Sequence, residues 1–241
     1  FDPGENLMGW GRIVTDGEIE SVAVLPGDME DEIYFMVKRT VDSSTVRYLE
    51  QLDPMFLDDI ADANCLDSYL RYDGAAATNI SGATHLQGRT VKVWANGQYL
   101  GTNVITAGGA LTTPLSTAVT PITVGLSYDG KYKSSKLALG AQLGTALAQK
   151  GRPMSIALML LNSVRRVEYG ANFDQMDWLQ DQPNDTTVET DGLIDEVTEK
   201  FAVPGGHSRD PRLCIRVTSP FPVTLQGYVI GMDLIERPSG N

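Results

Sequence analysis

Eight carboxylate side chains lie within residues 170–196, a stretch that contains no Lys or Arg. A calcium-binding loop would need oxygen ligands at one-residue intervals, a Gly-centred turn and a closing Glu, and that spacing is absent here. The stretch is therefore interpreted either as a solvated loop or as a negatively charged surface that repels a polyanion. Trp178 within it would anchor a neighbour or pack on its own domain. The candidate residues are Asp174, Asp177, Trp178, Asp181, Asp185, Glu189, Asp191, Asp195 and Glu196.

A second acidic cluster precedes the middle of the chain and consists of Asp58, Asp59, Asp62 and Asp67. Two carboxylates that face each other across a cleft about 5–10 Å wide can hydrolyse a glycosidic bond. Proximity in sequence does not supply that geometry, and an exposed charged turn is the simpler interpretation.

The two histidines, His85 and His207, complete the residues that could support catalysis. Acyl transfer would require a nucleophile and an orienting carboxylate beside one of them. Ser81 near His85, and Ser208 near His207, are neighbours in sequence only, and neither lies in a G-x-S-x-G turn. The sequence therefore predicts no enzyme activity, no metal and no cofactor.

Net charge, apolar content and cysteine spacing limit the classes of molecule that this chain could bind. The formal net charge of -12 argues against a general nucleic-acid binder, which needs clustered Lys and Arg, and against an anionic membrane surface. No run approaches the roughly 18 apolar residues of a membrane-spanning helix. Cys65 and Cys214 lack metal-ligand spacing, so two buried thiols are expected, consistent with assembly in a cytoplasm. The N-terminus without Met suggests a piece of a longer or processed product.

Short strand signals joined by Gly, Asn and Asp turns predict an all-β fold with few short helices. Residues 1–70 are predicted to form an antiparallel sheet like a propeller blade, which further blades upstream of Phe1 would complete. Its predicted strands are Met8–Thr15, Glu20–Leu25, Asp31–Val41 and Thr45–Leu52.

Two further small modules are predicted after this sheet. Residues 71–140 are expected to form a small β-barrel around the Asn96-Gly97 hairpin turn. Residues 141–241 are expected to form a β-sandwich that carries the long acidic loop 170–196. Within it, Pro153–Tyr169 reads as one strand or a bent pair of strands, and Gly140–Lys150 allows a helix.

Several segments in a fixed order resemble the nozzle protein, or tail tubular protein B, of short-tailed bacteriophages. The resemblance covers nearly the whole chain, and the order of the segments carries it rather than any single motif. The segments are Met8–Gly17, Ile19–Pro26, Asp31–Thr40, Thr45–Glu50, Leu66–Ser68, Tyr72–Gly74, His85–Val91, Val124–Tyr128, Val203–Gly206, Arg209–Asp210 and Pro220–Thr224.

This resemblance implies a structural subunit of a sixfold tail ring, located in the virion and assembled in the host cytoplasm. The implied partners are further copies of the chain, the tail adaptor and tail fibre or spike proteins, with transient passage of DNA and no membrane. The acidic segment Asp174–Glu196 would then face the lumen, the tip or a subunit interface. The family supplies no catalytic residues.

The alternative class is a carbohydrate-binding β-module of a secreted or cell-surface protein. Exposed aromatic rings on such a module would stack on sugars. The candidate rings are Trp10, Trp94, Tyr99, Tyr128 and Tyr132.

Overall fold

The computed structural model describes residues 11–27, 30–53, 57, 59–137, 149–179 and 192–235, together with the backbone of 140–141 and 144–145. Nearly all regular structure in these ranges is antiparallel β-sheet, which confirms the predicted all-β class. The helical content described consists of two short 3₁₀ turns, and no helix among these residues has the length and apolar character to span a bilayer. The chain divides into two units, Phe1–Pro54 and Met55–Asn241.

The first unit contains one sheet of three antiparallel strands in the order β1-β2-β3. The strands are β1 (Glu18–Leu25), β2 (Glu32–Val41) and β3 (Ser44–Gln51). Asp42 and Ser43 connect β2 to β3 with φ of 47° and 64°, the left-handed conformation that two-residue hairpin turns require.

The predicted first strand, Met8–Thr15, is wrong where it can be compared. Residues 11–15 do not form a strand, and residues 8–10 lie outside the described ranges. At the end of this segment the side chain of Arg39 donates to Thr15 Oγ1 at 2.7 Å and to the carbonyl of Asp16 at 2.6 Å. These bonds hold the chain just before β1.

The second unit begins with a four-stranded sheet in the order β4-β7-β5-β6. Its strands are β4 (Asp67–Tyr72), β5 (Thr90–Ala95), β6 (Gln98–Val104) and β7 (Ile122–Leu126). Asn96 and Gly97 form the predicted hairpin turn, with φ of 48° and 76°. The predicted module boundary after residue 70 falls inside β4, which pairs with β7 and so belongs to this sheet.

The remaining strands form a β-sandwich and a separate short hairpin. They are β8 (Asp129–Lys133), β9 (Gly140–Ala141), β10 (Gly144–Thr145), β11 (Lys150–Ser163), β12 (Glu168–Asn172), β13 (Gln175–Trp178), β14 (Ile194–Val197), β15 (Phe201–Ala202), β16 (Cys214–Thr218) and β17 (Thr224–Ile235). One sheet has the order β13-β12-β16-β8, and in the other β11 lies between β17 and the pair β14 and β15.

Alternating apolar residues from both sheets fill the core between them. Ile156, Leu158 and Leu160 of β11 pack against Tyr169 and Ile215 of the facing sheet. Residues 153–169 thus contain a bent pair of strands, one of the two alternatives that the sequence left open, and these strands belong to different sheets. Burying these side chains contributes roughly 1.5–3 kcal/mol each, which holds the two sheets together.

The helix that the sequence allowed for 140–150 is not formed at the positions that are described. There β9 and β10 pair as an antiparallel hairpin, with Gly144 opposite Ala141 and Thr145 opposite Gly140. Two glycines within this stretch each disfavour helix by about 1 kcal/mol relative to Ala, which offsets the helix preference of the neighbouring Ala and Leu residues.

Candidate functional site: the two open sides of the sandwich

The sandwich has two open sides, each formed by one edge strand from each sheet. On one side β13 is the edge of the first sheet, and β14 and β15 are the edge of the second. On the other side the edges are β8 and β17, and the rings of Tyr132 and Tyr228 meet there with centroids 5.9 Å apart. The two open sides differ in their charged residues.

The β12–β13 hairpin, on the first open side, carries Asp174, Asp177 and Trp178, three of the residues that the sequence analysis selected as candidates. Asn172 Oδ1 accepts hydrogen bonds from the backbone N–H groups of Asp174 at 3.0 Å and Gln175 at 2.9 Å, which fixes the turn. Asp174 and Asp177 are exposed, and Trp178 is 48% exposed. This part of the predicted loop is therefore an ordered hairpin with two carboxylates and an indole at the edge of a sheet.

The C-terminal part of the predicted loop is also a strand. Asp195 and Glu196 lie on β14, where Glu196 receives two hydrogen bonds from the guanidinium of Arg165, at 3.0 and 2.9 Å. Asp195 is exposed. The topology thus brings both ends of the acidic segment to one side of the sandwich, and the predicted loop is wrong at these ends because they pair with β12 and β11. The other candidates, Asp181, Asp185, Glu189 and Asp191, lie outside the described residues.

The carboxylate of Asp177 influences a buried neighbour. Asp177 lies directly opposite Tyr169 in the β12–β13 ladder. Burial, and then the nearby negative charge of Asp177, raise the pKa of Tyr169 above its ordinary value. The phenol therefore stays neutral at physiological pH and functions as a core residue.

The second open side carries lysines, which the sequence analysis did not identify as a feature. Lys131 and Lys133 are exposed on β8, and Lys131 forms an ion pair with Asp129 at 3.2 Å. Between them Tyr132 directs its hydroxyl toward that of Tyr228, with the two oxygens 3.2 Å apart. Alternation of lysine and tyrosine on one edge strand is the only sequence signal for this surface.

A shallow apolar crevice of about 230 Å³ lies between the sheets at this second side. Its lining includes Tyr132, Leu160, Val217 and Leu225. Burial, followed by the hydrogen bond with Tyr132, raises the pKa of Tyr228 to about 12. The hydrogen bond between the two hydroxyls links the edge strands of the two sheets.

The second acidic cluster has structural roles and does not form a facing pair of acids in the described residues. Asp59 caps the 3₁₀ turn Ile60–Asp62 by accepting from the N–H of Ala61 at 2.9 Å. Asp62 receives the guanidinium of Arg71 at 2.7 Å. Asp58 lies outside the described residues.

The histidines likewise contact groups that hold the fold. His85 Nε2 lies 2.9 Å from the carbonyl oxygen of Ser68, and His207 Nε2 lies 3.2 Å from Asp233 Oδ2. Within the described ranges no group of three or more His, Cys, Asp or Glu side chains is arranged to hold a metal ion. Cys65 and Cys214 are buried thiols outside any disulfide, as the sequence predicted.

Of the rings predicted for an aromatic platform, Tyr128 and Tyr132 are exposed, whereas Trp94 and Tyr99 pack within the fold. Trp94 is 1% exposed, and its ring packs edge to face on Phe221 with centroids 5.9 Å apart. Tyr99 packs on the same Phe221 at 5.7 Å. These rings join the β4–β7 sheet to the sandwich, a junction that the sequence analysis missed because the partners are about 120 residues apart. Trp10 lies outside the described residues.

No protein-family model matches this chain, and no curated protein matches its sequence. The functional interpretation therefore depends on the residues and on their positions in the fold.

Proposed function

We propose that this chain is a structural subunit of a bacteriophage tail, part of the oligomeric nozzle ring that lines the path of DNA ejection. The observation that carries the proposal is the fixed order of the segments that resemble nozzle proteins, from Met8–Gly17 to Pro220–Thr224. No single segment identifies the function, but eleven in sequence along one chain support a shared architecture.

The positions of these segments in the fold support this proposal. Segment Ile19–Pro26 supplies β1, Asp31–Thr40 supplies β2, and Thr45–Glu50 supplies β3. Segment Val124–Tyr128 includes most of β7, and Pro220–Thr224 leads into β17. The segments that resemble nozzle proteins thus form strands and the turns between them. A scaffold shared by subunits that form a wall would keep its sequence at these positions.

Charge gives a physical reason for the proposal. A wall lined with Lys and Arg would bind the phosphate backbone through release of counterions, whereas an acidic wall lets DNA pass without adhering. The chain has 31 acidic and 19 basic residues. Exposed carboxylates such as Asp195 are held on an edge strand, so their charge has a defined position.

Imaging of the full-length product tests this proposal. We expect negative-stain electron microscopy to show sixfold rings, and an antibody against the chain to label the tail of the phage that encodes it. The proposed partners in the particle are the tail adaptor and the fibre or spike proteins. A monomeric product that binds sugars on a glycan array and leaves tails unlabelled would overturn the proposal in favour of a carbohydrate-binding module.

A further inference from the structure

We draw no further inference here: the strongest candidate, the apolar face of the β1-β2-β3 sheet on which Ile19, Val22 and Val24 are exposed, supports no proposal because no contact within the part of the chain that the structure describes shows what covers this face.

Discussion

Replacement of Phe221 with Ala tests whether the β4–β7 sheet and the sandwich unfold as one body. Phe221 lies between the two and packs edge to face on Trp94 and Tyr99, with interplanar angles of 89° and 71°. The guanidinium of Arg166 lies 5.2 Å from the centre of the same ring. One side chain thus takes part in three ring contacts that connect segments far apart in sequence.

The expected cost follows from these contacts. A Phe→Ala change in a core costs about 3–5 kcal/mol, and Phe221 is half-buried, which reduces the area lost. Edge-to-face pairs contribute about 0.5–1.5 kcal/mol each beyond area, and a cation–π contact about 0.5–1 kcal/mol. We therefore expect the free energy of unfolding to fall by about 3 kcal/mol, with a decrease in Tm of roughly 6–12 °C.

Chemical denaturation followed by far-ultraviolet circular dichroism would measure this loss. Phe221→Leu keeps apolar volume but removes the ring contacts, so it should cost about half as much. Trp178→Ala is the matched control, because it removes a larger ring that is 48% exposed and should cost less than about 1 kcal/mol. A loss below about 1 kcal/mol for Phe221→Ala would show that the junction does not couple the two parts.

Three further substitutions test the roles of individual residues. Arg39 is 4% exposed and is paired with Glu50 at 2.7 Å, so Arg39→Ala should lower the free energy of unfolding, measured in urea, by about 3 kcal/mol. An unchanged free energy of unfolding would refute a structural role for this pair. The raised pKa of Tyr228 means that the folded state holds the phenol proton of Tyr228 more tightly than the unfolded state does. The stability that this proton contributes is therefore full below about pH 10 and is lost as pH rises toward 12. Tyr132→Phe removes the hydrogen bond between the two hydroxyls and should lower the pKa of Tyr228 in an ultraviolet tyrosinate titration. Asp195→Lys should slow genome ejection, measured as the rate of DNA release, while particle assembly is unchanged; an unaltered rate would reject a role for this residue along the DNA path.

The sequence predicted strands well where a local turn determines the pairing. Asn96-Gly97 adopts the left-handed conformation of a two-residue hairpin, and the β-branched and aromatic run Ile33–Val37 forms part of β2. Met8–Thr15 has similar strand propensity, but residues 11–15 are not paired. The contact that holds the end of this segment comes from the side chain of Arg39, more than 20 residues away in the sequence, and no local pattern predicts it.

The surfaces were harder to predict because they depend on which strands become edges. Asp174, Asp177 and Asp195 stand out in sequence as acidic residues, but periodicity does not show that they lie on one side of a sandwich. Lys131 and Lys133 were missed for the same reason, since two lysines around a tyrosine have no meaning until β8 is known to be an edge. The acidic charge of a surface was visible in the sequence, and the position of that surface in the fold was not.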